Sequence, residues 1–114
     1  MEKLLNFQAA EFKKGLNFLV VKYDKVVDHL RVGDVTFIKG WNGLARVEKI
    51  YICALSDIPD EVFKNEADPR CRTLKGLIEV LSKEVCPEIK DLLESGYLGF
   101  KVACIGYRLF KPYE

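Results

Sequence analysis

Gly15-Leu16-Asn17-Phe18-Leu19-Val20-Val21-Lys22 is the stretch whose reading decides the fold. It is short, rich in Phe, Leu and Val, opened by a glycine and closed by a cation, so it reads as a β-strand. Before it, Ala9 to Lys14 reads as a short helix with Lys13 and Lys14 in its last turn, and Gly15 is placed as its stop. Leu4, Leu5 and Phe7 read as a short opening strand. After it, Asp24 to His29 reads as a loop or a single helical turn. Leu30-Arg31-Val32-Gly33-Asp34 is a turn that feeds a strand over Val35 to Ile38.

Trp41-Asn42-Gly43 holds an Asn-Gly pair, the strongest short-range hairpin signal because both turn positions need positive φ. The return strand runs from Leu44 to Leu55, with Ala45 and Val47 on one face and then Ile50, Ile52 and Ala54. That alternation slips by one at Glu48-Lys49, which predicts a β-bulge. Ser56-Asp57 is expected to cap a helix begun by Ile58-Pro59 and running to about Glu66, broken by Asp68-Pro69. Thr73 starts a stronger helix with Leu74, Leu77, Ile78 and Leu81 at helical spacing, and Pro87 opens another that ends at Ser95-Gly96. Phe100 to Ile105 is the closing strand, continuing past Gly106 towards Phe110. The expectation is an α+β chain: a small β-barrel with a polar cleft and two or three helices inserted before the last strand, as one domain over residues 1–114.

This order of elements, with these turns, resembles the PUA-like superfamily and, within it, the ASCH domain. ASCH domains carry a Gly-x-Lys-x-x-Glu-x-Arg signature followed by a Leu-x-x-Gly-Asp turn and a glycine-rich hairpin. Gly15 matches the first glycine, Lys22 holds the final basic position, and Leu30, Gly33 and Asp34 match the turn. Asn17 stands where the family has lysine, and Val20 where it has an acid or, in its amidohydrolases, a threonine. The resemblance implies that the small deacetylating members use a lysine, a threonine and a downstream glutamate; by position these are Asn17, Val20 and Glu66. Asn has no titratable group and Val no nucleophile, so that chemistry is not expected here. Other superfamily members bind RNA or modified bases beside the barrel.

The totals set the class. With 49% apolar and 31% charged residues, the 114-residue chain has the composition of a globular domain. It has no apolar run long enough to span a bilayer and no signal-peptide pattern at Met1 to Gln8, so the expected location is the cytoplasm. Cys53, Cys71, Cys86 and Cys104 lie 18, 15 and 18 positions apart, without a closely spaced ligand pair, and no metal or other cofactor is expected. Cys53 and Cys104 sit in apolar strand-like runs, as buried free thiols or, if their strands are neighbours, as a disulfide. The net charge of +1 hides an asymmetry: residues 57–94 hold six Lys/Arg against ten Asp/Glu, and the rest twelve against seven. One face can therefore be basic on a nearly neutral protein.

The expected function is a non-catalytic module that binds RNA or a nucleotide-like ligand. In that scheme Asn17 reads a base edge, because a carboxamide both donates and accepts. Lys22, Lys39 and Arg46 hold phosphates, Trp41 offers a stacking face, and Glu66 points back into the cleft. Each has a plainer reading. Lys22 is a surface lysine beside Asp24, Trp41 packs on the barrel end, Lys39 and Arg46 are cross-strand surface residues, and Glu66 is an exposed acid. Regular alternation puts Asn17 and Lys22 on opposite faces. His29 has no catalytic partner in sequence, and Arg70 and Arg72 either pinch a phosphate or neutralise Asp68. Two alternatives stand beside RNA binding. One is hydrolysis of an acylated nucleoside by a rearranged site. The other is a protein-interaction or homodimer module using Tyr107, Phe110, Tyr113 and the acidic helices.

Overall fold

Phe18, Leu19, Val20 and Val21 are all buried, so the strand that carries them is covered on both faces. The sheet has a layer on each side for that reason. In the computed structural model, residues 15–25, 27–37, 44–85 and 87–109 are described. They form β1 (Gly15–Lys22), β2 (Val35–Phe37), β3 (Leu44–Ala54), α1 (Asp60–Asn65), α2 (Leu74–Val80), α3 (Lys90–Glu94) and β4 (Lys101–Leu109). The strands make one antiparallel sheet in the order β1-β4-β3-β2. The chain is thus α+β, and the three α-helices among the described residues are inserted before the last strand. Within the described residues the sheet is open, with β1 and β2 as its edges, and the barrel closure expected from sequence is not seen among them.

One face packs Leu19, Val21, Ala45, Val47, Ala103, Ile105, Tyr107 and Leu109 against Val27, Leu30 and Ala67. The other packs Phe18, Val20, Val102 and Cys104 against Leu55, Ile58, Val62, Cys71, Leu77, Leu81 and Leu93 from the helical insert. Each fully buried Leu, Val or Phe here contributes roughly 1.5–3 kcal/mol of transfer free energy, which is what holds such short helices in place. The ring of Phe18 stacks on Tyr51 at 6.0 Å. Gly106, opposite Phe18 on β4, leaves room for it: a Cβ there would stand 3.0 Å from the Phe18 ring.

The β-bulge lies where the alternation slips. Val47 pairs with Tyr107 and Lys49 with Gly106, so Glu48 is the residue the ladder skips. The Gly33-Asp34 turn docks beside it, with Gly33 N–H donating to the Val47 carbonyl at 2.7 Å and Val47 N–H to the Asp34 carbonyl at 2.8 Å. Gly33 has φ of +98°, a conformation that L side chains rarely adopt, and the Asp34 carboxylate accepts from Arg31 N–H at 2.9 Å to close the turn.

Two expectations need correction. Ser56 and Asp57 do not cap a helix; they lie in a 3-10 turn over Leu55–Asp57, and α1 begins only after Pro59, with no side-chain cap bond. The cause is tertiary. Leu55 and Ser56 N–H groups donate to the carbonyls of Phe100 and Leu98, which holds this stretch against the approach to β4. Tyr107, assigned to a surface in the homodimer alternative, is fully buried. Thr73 does cap α2, accepting from Gly76 N–H at 3.1 Å, and α2 runs on into a π-turn over Leu81–Val85. The opening strand and helix before Gly15, the Trp41-Asn42-Gly43 hairpin tip, Phe110 and Tyr113 lie outside the described residues. Cys53 and Cys104 are free thiols. Their register makes them diagonal neighbours, since Cys104 faces Tyr51 and Cys53 faces Val102.

The Tyr107 hydroxyl is buried without a hydrogen-bond partner among the described residues, and burial pushes its pKa up. Tyr107→Phe deletes an unsatisfied polar atom and breaks no bond among the described residues. Urea unfolding should show stability unchanged or raised by about 1 kcal/mol. A loss larger than that would mean the hydroxyl has a partner.

Candidate functional site

Glu66 is positioned by the end of α1. The chain leaves Asn65 in an extended conformation and makes one parallel bridge to the free edge of β1, Phe18 to Glu66. Ala67 N–H donates to the Phe18 carbonyl at 2.9 Å. One carboxylate oxygen of Glu66 accepts from Val20 N–H at 3.1 Å and the other from Asp68 N–H at 3.2 Å. Arg72 Nε donates to the Glu66 carbonyl at 3.1 Å. A sheet edge leaves a row of N–H and C=O groups unpaired, and this segment covers part of that row on β1.

The expected exposed or cleft-facing acid is therefore a buried one, 2% exposed. Burial pushes the Glu66 carboxyl up to about 8; the Asp68 and Val20 amides pull the other way, and the Asp68 charge adds to the rise. Asp68 caps the following turn by accepting Arg70 N–H at 2.9 Å, and its carboxylate takes the Arg70 guanidinium at 2.8 and 3.1 Å. Arg70 also reaches Glu84 at 2.7 Å, so its role is to neutralise neighbouring acids. Burial, with Glu66 and Asp68 close by, pushes the Cys71 thiol up to about 12, which makes it a packing group rather than a nucleophile.

Asn17 is 1% exposed on the opposite face from Phe18 and Val20, cross-strand from Tyr107, and its amide donates to the Gly15 carbonyl at 3.2 Å. The base-reading role expected for it needs an accessible carboxamide, and this one is enclosed. Lys22 is exposed at the far end of β1 and pairs with Glu88 at 3.3 Å. Arg46 is exposed on β3 near the hairpin, opposite Arg108 of β4, which in turn faces Leu16. Leu16 and Lys22 are six residues apart on β1, so Arg46 and Lys22 lie at opposite ends of the sheet, about 20 Å from one another. The structure does not gather Asn17, Lys22, Arg46 and Glu66 into one cleft. Lys39 and Trp41 lie outside the described residues, in the segment that joins β2 to β3.

The sequence marks Glu48 only as part of the bulge and does not mark Arg108. Both matter at the Arg46 end: Arg108 Nη2 donates to one Glu48 oxygen at 3.1 Å while its Nε donates to the other. No signal in the linear sequence marks this pair, because the residues are 60 positions apart and meet only through the β3–β4 register. His29 is exposed on the Val27–His29 turn. Among the described residues no group of His, Cys, Asp and Glu is placed to hold a metal ion, and no helix is long and apolar enough to cross a membrane. No family model, curated protein or solved structure matches the chain.

Proposed function

We propose that the chain is a non-catalytic RNA- or nucleotide-binding module of PUA-like, ASCH-type barrel architecture, whose ligand surface is the hairpin end of the sheet. The observation that carries this reading is the exposed residue Arg46 beside Arg108, on the strand that leaves the segment holding Lys39 and Trp41. Adjacent cations on a sheet face supply phosphate contacts. The positions that the ASCH resemblance assigns to chemistry support binding over hydrolysis. Val20 meets Glu66 through its backbone N–H and has an apolar side chain, both Glu66 oxygens accept from backbone amides, and Asn17 faces away. Glu66 therefore serves as a positioning group for β1 in this reading.

Anisotropy of a short fluorescent single-stranded RNA, titrated at several salt concentrations, tests the proposal. Binding should weaken steeply with salt, and Arg46→Ala should lower affinity about 3- to 10-fold while flattening the log–log salt slope by about 1. Absence of binding at low salt, or binding indifferent to salt, would remove nucleic acid as the partner. Turnover of an acylated nucleoside by the purified protein would favour the hydrolase alternative.

A further inference from the structure

The register across all four strands aligns one row of side chains: Val35 on β2, Arg46 on β3, Arg108 on β4 and Leu16 on β1. The row lies on the face that carries the helices; those helices pack over Phe18, Val20, Val102 and Cys104, further along the strands, and Leu16 of the row packs against the edge of that core. Val35 is 50% exposed, Arg46 and Arg108 are exposed, and Leu16 is half-buried. Four strands give a strip about 14 Å wide, with two cations in its middle and an apolar side chain at each end.

Like charges directly opposed on neighbouring strands are unfavourable unless something answers them. Glu48, the residue extruded at the bulge, engages Arg108 with both oxygens. The Arg108 hydrogen bond holds the Glu48 carboxyl below the usual carboxylate range, and the charges of Arg108, Arg46 and Lys49 add to that. Lys49 is committed elsewhere, at 3.0 and 3.2 Å to the two oxygens of Glu61. The carboxylate thus occupies the place that an incoming phosphate would take on Arg108.

We infer that this row is a platform for single-stranded RNA, with phosphate held between Arg46 and Arg108, and that Glu48 is a built-in competitor which sets the affinity. The inference rests on the nucleic-acid reading above and specifies it. A single strand fits because its unstacked bases can lie against Val35 and Leu16 while its backbone meets the arginines; a duplex keeps its base faces stacked inside and has none to lay on those apolar ends.

The test uses a fluorescent 12-nucleotide oligouridine, and the same length of RNA duplex, against the full chain and two variants. Arg108→Ala should weaken single-strand binding about 5- to 10-fold, whereas Glu48→Gln should tighten it about 3-fold and steepen the salt slope. Opposite signs are the decisive feature, since loss of a merely structural ion pair would move both variants the same way. Matching unfolding midpoints for the three proteins would tie the changes to binding, as expected for an exposed pair. If the wild-type chain binds single strands but neither substitution changes the affinity, the inference is overturned and the binding reading stands. Equal affinity for the duplex overturns the single-strand assignment. If the wild-type chain binds neither RNA at low salt, both fall.

Discussion

Raising the pH through neutrality should weaken the fold, and Glu66 should account for most of the loss. Its carboxyl titrates near 4.5 in an unfolded chain and at about 8 when folded, because burial penalises the charged form. A raised carboxyl pKa means that the folded state binds the proton more tightly than the unfolded state. The stabilisation is therefore fully present below 4.5 and is lost progressively as pH rises to about 8. Each pKa unit corresponds to about 1.4 kcal/mol, so the total is on the order of a few kcal/mol, a large part of a small domain's stability. The carboxyls held low by cations or hydrogen bonds, Glu48, Glu61 and Glu88, titrate below this window and do not contribute to it.

Urea unfolding at pH 5, 7 and 8.5 measures the effect, and Glu66→Gln isolates it. Glutamine offers one acceptor oxygen where Val20 and Asp68 N–H groups require two, so the variant should be about 1–3 kcal/mol less stable at pH 5. It should then show almost no decline to pH 8.5, so the gap between the two curves should close or reverse. A wild-type stability that is flat between pH 5 and 8.5 would refute the assignment.

Gly76→Ala should cost about 3 kcal/mol or more, although helix propensity alone predicts a gain of up to about 1 kcal/mol. Gly76 sits in the first turn of α2, where a Cβ would stand 2.0 Å from the Arg70 carbonyl oxygen and 3.1 Å from Thr73 Oγ. The Arg70 oxygen belongs to backbone, and its turn is fixed by the Asp68 cap and by the Arg70 bonds to Asp68 and Glu84. Relief requires α2 to lift away from that turn, which exposes Leu77 and Leu81. Chemical denaturation gives the sign at once, and an alanine variant as stable as the wild type would show that the turn and the helix are not in contact.

The strands were legible because strand chemistry is local. The Phe18 to Val21 run, the Gly33-Asp34 turn and the slip at Glu48-Lys49 each carry their own signal, and each falls where expected. So did the Thr73 cap, because an N-cap needs only the residue and the N–H three positions on. The cap expected at Ser56-Asp57 does not form because long-range hydrogen bonds to Leu98 and Phe100 outweigh a local preference. The site was less legible for a related reason. Whether a polar side chain is enclosed or offered depends on what packs over it: Asn17 and Glu66 are enclosed by layers that no local pattern announces. Arg108 meets Arg46 and Glu48 only through the sheet register, so spacing along the chain could not join them.

An extra residue inside a strand ordinarily inverts every side chain that follows, exchanging core for surface. At Glu48 the ladder skips one position, so Val47 and Ile50 both remain on the Tyr107 side. Glu48 stands outside the bookkeeping that ties every other β3 residue to one layer or the other. Substitutions there can alter the charge beside Arg46 and Arg108 without asking either core to repack. In the nucleic-acid reading proposed above, Glu48 is a position where a substitution changes binding strength while the fold stays where it is.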